Sequence, residues 1–436
     1  MERLGLLLKG CIMRAYWPTL FLFVLSAAGL PARVEHLAPY DHCDHNGAEL
    51  AAMPVSDGPV RLIGIDCPPG GNQSVSPDGQ RFFSRRYPDG RAYQAPARLF
   101  VSGLEKGGPT VSYPFDPAFS LFRPLFHWAS DFRSIWGADQ KAGPGGFAIE
   151  PLKPVLLLPD GTSQALPLLV GPGGPLDGLL WIGGDGLALA EFGTRGSYYR
   201  PEHPDPEPTM AFVDAKHGRY LGWFSFKDFP KAVSAQGTPM VPLQIASAVL
   251  PDGRPRVVLQ WPSGYSLVWT QGSEPREISV PRLPWGARMA LAPDGRSLLI
   301  GYPLSATGAI CEYSDDEPDP CPPPTPVTGK LVELVDIETG KTIWETRDTA
   351  KRFEGYREPV ISPDGRYALI GVPQNDGHMR GHWLIYAKIG LISMSDGKIV
   401  QTVPSFSEGY STSFGPNGRF FIGSVGYVAT YEITGR

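Results

Sequence analysis

ALAPDGRSLLIG (Ala290–Gly301) and VISPDGRYALIG (Val360–Gly371) state one structural phrase twice. The same phrase stands at SVSPDGQRFFS (Ser74–Ser84), at AVLPDGRPRVVL (Ala248–Leu259) and, with Asn for Asp, at SFGPNGRFFIG (Ser413–Gly423). Each copy runs from an apolar stretch through Pro-Asp-Gly or Pro-Asn-Gly into a polar residue and a β-rich apolar run, which reads as two antiparallel strands joined tightly. Pro presets its own φ, the Asp or Asn side chain bonds the turn backbone, and Gly accepts the positive φ the turn requires. That duty accounts for Asp78, Asp252, Asp294 and Asp364 without a catalytic role.

A second phrase follows several copies: MAFVDAKHGRYLGWF (Met210–Phe224), LVELVDIETGKTIWET (Leu331–Thr346) and GLISMSDGKIVQTV (Gly390–Val403). Its Asp, Gly and Lys or Arg sit between two apolar-alternating strands, so it is another hairpin. One full repeat therefore supplies four antiparallel strands, and self-similarity on this scale sets the architecture. Gly and Pro, at 52 and 47 of 436 residues, stand at about twice their usual share and exclude an ordinary helical bundle. Hydrophobic residues at 42% and aromatic residues at 11% exclude a disordered chain. With 19% charged residues and a formal net charge of -5, there is no basic excess to neutralise phosphates, and nucleic acid is not an expected partner.

The Ser-Pro-Asp-Gly hairpin followed by the Asp-x-x-x-Gly-Lys hairpin resembles the WD-type β-propeller repeat of TolB-like proteins and of the propeller domains of prolyl oligopeptidase-type peptidases. The resemblance implies an all-β chain of four-stranded blades, with strands A to D running outward from a central channel. Those peptidases carry their nucleophile on a separate α/β-hydrolase domain, to which nothing in this sequence corresponds. Hairpin groups at 68–115, 123–171, 175–227, 241–281, 285–347, 358–404 and 409–436 give seven blades, with six or eight as alternatives. The Asp-Gly turn is replaced by SDFRSIWGAD in the second group and by WIGGDGLALAEF in the third. The last group runs out at VATYEITGR, after its third strand, so Val60–Ile65 in PVRLIGIDC is expected to supply strand D and remove an exposed edge. At about 58 residues per blade against ~40–45 for a lean repeat, the surplus lies in loops. Short turns join A to B and C to D on one face. Long connections join B to C and D to the next A on the other, where a rigid scaffold places its binding loops.

Residues 1–32 read as a signal peptide: Lys9 and Arg14 precede the apolar AYWPTLFLFVLSAAGLPA (Ala15–Ala32), which ends in small residues suited to cleavage near Ala28–Ala32. Its heart, Leu20–Ala28, is short for a membrane span. A retained anchor is the alternative, and Met13 is an alternative start to Met1. Residues 33–67 form an N-terminal segment with the ring-closing strand, and 68–436 the propeller. Losing Arg3, Lys9, Arg14 and Glu2 leaves the mature chain two units more acidic. The expected location is periplasmic or secreted, with no stable membrane insertion after cleavage. Cys43, Cys67, Cys311 and Cys321 then remain, an even number in an oxidising compartment. Three connectivities are open; Cys311 with Cys321, closing CEYSDDEPDPC, and Cys43 with Cys67 are favoured.

The long-loop face collects Arg195, Tyr198, Tyr199, Arg200 and His203 from blade 3, and His378, Arg380, His382 and Trp383 from blade 6, with Arg85 and Arg86 of blade 1. Arg pairs with carboxylates and Tyr or Trp gives rigid amphipathic area, a composition enriched in binding centres; a solvated loop set is the plain alternative. The His pairs of DHCDH (Asp41–His45) and of His378 with His382 match no recognised metal spacing, and no metal is assigned. VDIETGKTIWE also resembles the tryptophan-docking repeat of pyrroloquinoline quinone dehydrogenases, but in a single copy, so Trp344 is expected to pack between blades and no cofactor is assigned. Nucleophile-elbow, P-loop and dinucleotide motifs are absent from the sequence. The expected function is an exported, non-catalytic binding or scaffolding module that takes a protein or small-molecule ligand on its long-loop face. The alternatives are a propeller-type enzyme, such as a lactonase-like hydrolase, with His203, Arg200, His378 and His382 as acid, base or metal groups at the channel mouth, and a redox-partner subunit.

Overall fold

The computed structural model describes residues 34–35, 58–66, 73–86, 98–103, 110–113, 126–139, 152–171, 174–193, 209–232, 242–284, 287–302, 327–350, 359–372, 379–380, 383–384, 387–405, 411–424 and 427–434. Seven antiparallel sheets form the blades of a β-propeller, as the repeat implied. From A to D, blade 1 comprises Gln73–Val75, Arg81–Arg86, Arg98–Gly103 and Thr110–Tyr113, and blade 2 His127–Trp128, Ile135–Asp139, Lys153–Leu157 and Ser163–Ala165. Blade 3 comprises Gly174–Trp181, Leu187–Phe192, Thr209–Asp214 and Arg219–Ser225, and blade 4 Gln244–Val249, Pro255–Gln260, Ser266–Thr270 and Arg276–Glu277. Blade 5 comprises Arg288–Leu291, Ser297–Gly301, Val327–Asp336 and Lys341–Ala350, and blade 6 Val360–Ile361, Tyr367–Val372, Ala387–Ser393 and Ile399–Ser405. Blade 7 takes A to C from Ser411–Phe414, Arg419–Ser424 and Tyr427–Ile433, and its D from Val60–Asp66. Val34–Glu35 adds a short fifth strand outside blade 1, pairing with Val111 and Thr110.

The turns show why the phrase repeats. In blade 5 the Ala292 N–H donates to Ser297 O at 2.8 Å and the Gly295 N–H to Ala292 O at 2.8 Å. Asp294 Oδ1 accepts from the N–H groups of Arg296 (2.7 Å) and Ser297 (2.8 Å), while Oδ2 accepts the Ser297 hydroxyl at 2.7 Å. Gly295 holds φ 66°, open to glycine at little steric cost. Blade 2 reproduces this network with Asp131, whose Oδ1 takes the N–H groups of Arg133 and Ser134, each at 2.8 Å. Phe132 stands in the glycine's place at φ 54°. The divergent SDFRS is thus the same turn with its glycine replaced.

Strand B of a blade reads as a continuous apolar run because both faces are covered. In blade 5, Leu298 and Ile300 pack toward blade 4, in one cluster with Ala246 and Val258, while Leu299 packs toward blade 6 with Ala368 and Ile370. Each such burial is worth about 1.5–3 kcal/mol. Between blades, side chains dock onto the next turn: Trp136 Nε1 donates to Gly184 O at 2.7 Å, Arg256 Nη1 to Gly295 O at 2.7 Å and Trp344 Nε1 to Met394 O at 2.8 Å. Trp344 therefore packs between blades 5 and 6, as expected from its single copy. A Cβ at Gly397 would lie 2.4 Å from Trp344 Cε3.

Blade 7 closes the ring. Val60 stands opposite Ile433 and Asp66 opposite Val428, and the Thr434 N–H donates to Pro59 O at 2.6 Å. The groups of Val60 are taken by Gln401 on strand D of blade 6: its Oε1 accepts the Val60 N–H at 2.6 Å and its Nε2 donates to Val60 O at 3.1 Å. Both side chains are buried.

Candidate functional site

The A–B and C–D turns of the described blades share one face, and the B–C and D–A connections the other. The asymmetry is not uniform: the turn between strands A and B of blade 5 is 292–296 and the connection between its strands B and C is 302–326, whereas the B–C connections of blades 4 and 7, 261–265 and 425–426, are as short as the turns. Arg195, Tyr198, Tyr199, Arg200 and His203 belong to connection 193–208 of blade 3 and lie outside the described residues. His378 and His382, in connection 373–386 of blade 6, also lie outside them, as do Cys43, Cys67, Cys311 and Cys321. Arg380 and Trp383 are described in their backbone: Met379–Arg380 and Trp383–Leu384 form a two-stranded ribbon that sets Arg380 opposite Trp383.

Toward the long-loop end of blade 5 lies a charged cluster that no sequence motif marks. Glu333, mid-strand and fully buried, accepts the Thr342 hydroxyl at Oε1 and the Tyr302 hydroxyl at Oε2 (2.6 Å). Lys330 Nζ lies 3.0 Å from Glu333 Oε2 and 3.0 Å from Glu345 Oε2, and Glu345 also pairs with Arg347 at 2.8 Å. Burial pushes the Glu333 carboxyl up, but the bonds from Thr342, Tyr302 and Lys330 together outweigh it and hold the group below its ordinary value. Burial, then Glu333 itself, pushes the Tyr302 phenol upward. Both carboxylate oxygens are engaged, so the cluster fixes strand C rather than offering a free acid or base. Its partners come from strands B, C and D, a juxtaposition the linear sequence conceals. On strand A of blade 2, burial holds the His127 imidazole below the usual histidine range, against a bond between Nδ1 and Trp128 O (2.7 Å), so it is neutral at pH 7. Among the described residues no three His, Cys, Asp or Glu side chains are grouped to hold a metal, and no helix is long and apolar enough to cross a membrane.

The short-turn face carries an open groove of about 580 Å³ where blades 5 and 6 meet. Its floor is Ala292, Leu334 and Met394, all buried, and its walls include the Pro293–Asp294 and Pro363–Arg366 turns. Both wall carboxylates serve their turns: Asp294 as above, and Asp364 by accepting the Ser362 hydroxyl at 2.6 Å and the Arg366 N–H at 3.2 Å. Arg366 also lines the groove, its guanidinium carbon 5.5 Å from the centre of the Tyr367 ring. Reading the prolines and aspartates as turn chemistry hid this concavity, because Pro251 of blade 4 joins residues of blades 5 and 6 to assemble it.

The chain matches no protein-family model and no curated protein. Among solved structures it is similar to a chain of the "Crystal Structure of Mitotic Checkpoint Complex", with all of both chains covered, 10% identity and a TM-score of 0.43. A likeness of that size carries no functional argument.

Proposed function

We propose that the protein is an exported, non-catalytic binding or scaffolding module, periplasmic or secreted, that engages a protein or small-molecule ligand with its long-loop face. The observation that supports this reading is the asymmetry of the propeller. One face is made of turns as short as 292–296, and on the other blades 3, 5 and 6 emit the connections 193–208, 302–326 and 373–386. Loops fixed at both ends on a rigid sheet frame are where recognition is built. Within them, Tyr198, Tyr199 and Trp383 offer rigid area, and Arg195, Arg200 and Arg380 offer planar donors for acidic groups. The leader at residues 1–32 and the four cysteines beyond it motivate export.

Native mass spectrometry of protein recovered from its producing cells is the direct test. Adducts of constant mass, lost on replacing Tyr198, Arg200, Arg380 and Trp383 by Ala while the circular dichroism stays unchanged, are the expected result. Retention of the ligand by that quadruple variant refutes the assignment of the face. Turnover of lactone or ester substrates by the purified chain refutes the non-catalytic reading.

A further inference from the structure

An open strand edge invites pairing with another strand, and natural sheets blunt it by brevity, charge, proline or a cover. The outer edges of six blades use one of these devices. Val34–Glu35 covers strand D of blade 1, and strand D spans three residues in blade 2 and two in blade 4. In blade 5 it carries Lys341, Glu345 and Arg347, in blade 6 Pro404, and in blade 7 Arg61 and Asp66. Strand D of blade 3, Arg219–Ser225, has none of them. It is uncharged from Tyr220 onward, and Arg219 is already paired with Asp214 at 2.6 Å. Among the described residues, Arg219–Trp223 makes no backbone bond beyond its ladder with strand C.

The same strand exposes its aromatic side chains, Trp223 at 54% and Tyr220 at 37%. They stand opposite Ala211 and Val213 of strand C, which face blade 2, so both lie on one flank of the sheet, across the bulge at Leu221. Blade 2 leaves this flank bare because its own strand D ends after Ser163–Ala165. Leu168, 60% exposed, follows Pro167, which packs on Gly218 at the head of the strand. An edge of unpaired backbone groups takes an extended strand, and an edge without charge selects no charged one. A second copy of the chain supplies a matching strand. Set antiparallel about a two-fold axis, Tyr220 falls opposite the partner's Trp223 and Trp223 opposite the partner's Tyr220, so aromatic meets aromatic on the same flank. Strand D lies on the rim of the ring, and pairing there leaves both faces of the propeller open. We propose that two copies of the protein join edge to edge through strand D of blade 3 in this register.

Sedimentation velocity of the purified protein across about 1–100 μM tests the proposal. A dimer is expected. Trp223→Lys should raise its dissociation constant about thirtyfold or more, because an aromatic anchor is lost and the two-fold uses each residue twice. Since Trp223 is exposed in the single chain, this variant should keep the circular dichroism of the wild type. Ile343→Lys, at a residue 52% exposed on the outer strand of blade 5, should leave the dimer unchanged. The double variant Tyr220→Cys, Trp223→Cys should cross-link two copies on mild oxidation, and neither single substitution should. A chain that stays monomeric at about 100 μM, a dimer that survives Trp223→Lys, or a dimer that Ile343→Lys dissociates as well overturns the proposal. So does a dimer whose double-cysteine variant does not cross-link.

Discussion

Gln401→Leu removes two hydrogen bonds from the seam that closes the ring and keeps the side chain's bulk. Thr434 bonds Pro59, so Val60, one step along, turns its N–H and C=O away from strand C of blade 7 toward blade 6, where the amide of Gln401 takes both. Leucine leaves a buried donor and a buried acceptor unpaired, at about 1–3 kcal/mol each. Some water entry at the strand edge brings the sum to about 2–4 kcal/mol. Unfolding entropy of about 2.1 cal/mol/K per residue, over about 375 residues, gives about 0.8 kcal/mol/K, so a loss of 3 kcal/mol lowers Tm by about 4 °C. Calorimetry reads that shift, and amide exchange over Val60–Asp66 should show faster opening of this strand than of blades 3 and 4. Gln401→Glu supplies an internal control. Its carboxylate still accepts from the Val60 N–H but opposes the Val60 carbonyl at neutral pH, and protonation restores a donor, so its deficit should shrink as the pH falls toward 4. A Gln401→Leu protein within 0.5 kcal/mol of wild type, by the error expected of such measurements, with unchanged exchange in Val60–Asp66, refutes the clamp.

Gly397 and Gly253 both hold positive φ, 72° and 82°, but a Cβ at Gly397 meets Trp344 at 2.4 Å while one at Gly253 meets nothing within 4 Å. Gly397→Ala should cost about 2–4 kcal/mol and Gly253→Ala about 1 kcal/mol; equal losses in urea denaturation would show that Trp344 docking adds nothing. Phe132→Asn, which places a residue tolerant of φ 54° in the blade 2 turn, should stabilise by about 0.5–1 kcal/mol, and a loss beyond 1 kcal/mol in the same assay contradicts the strain. Because the folded Glu333 carboxyl lies below its ordinary 4.5, its contribution to stability is complete above that value and is lost as pH falls through the lower folded one. Glu333→Gln should therefore be less stable at pH 7 and flatter between pH 5 and 3, and parallel pH profiles of the two proteins would exclude the linkage.

Much of the fold was legible because its information is local. Pro, Asp and Gly at fixed offsets specify a turn with one hydrogen-bond network, and a run such as Leu298–Ile300 specifies a strand covered on both faces. Even the seventh blade could be read, since Val60–Ile65 had strand character and the last repeat lacked a partner. In blade 2 the glycine was gone, yet Asp131 and Ser134 kept the turn. Contacts between repeats were not legible. Nothing local in Gln401 announces Val60, and Glu333 meets Tyr302 only once strands B and C pair. The residues chosen for the long-loop face follow from composition and topology alone and lie outside the described residues, apart from the backbone pairing of Arg380 with Trp383 and that of Arg85 and Arg86 with Leu99 and Arg98 at the end of strand B of blade 1.

The seam between Val60–Asp66 and Tyr427–Ile433 also fixes the order of events and the mechanics of the molecule. During synthesis the first of these strands leaves the ribosome and waits, unpaired, while six blades are made, so no stage before residue 433 presents a closed ring. Once closed, a pull applied at residues 58 and 434 meets both ends of the seam at the same place. Force then loads the Val60–Ile433 pair first and opens the ladder one pair at a time, as a zipper, rather than shearing all of its bonds together.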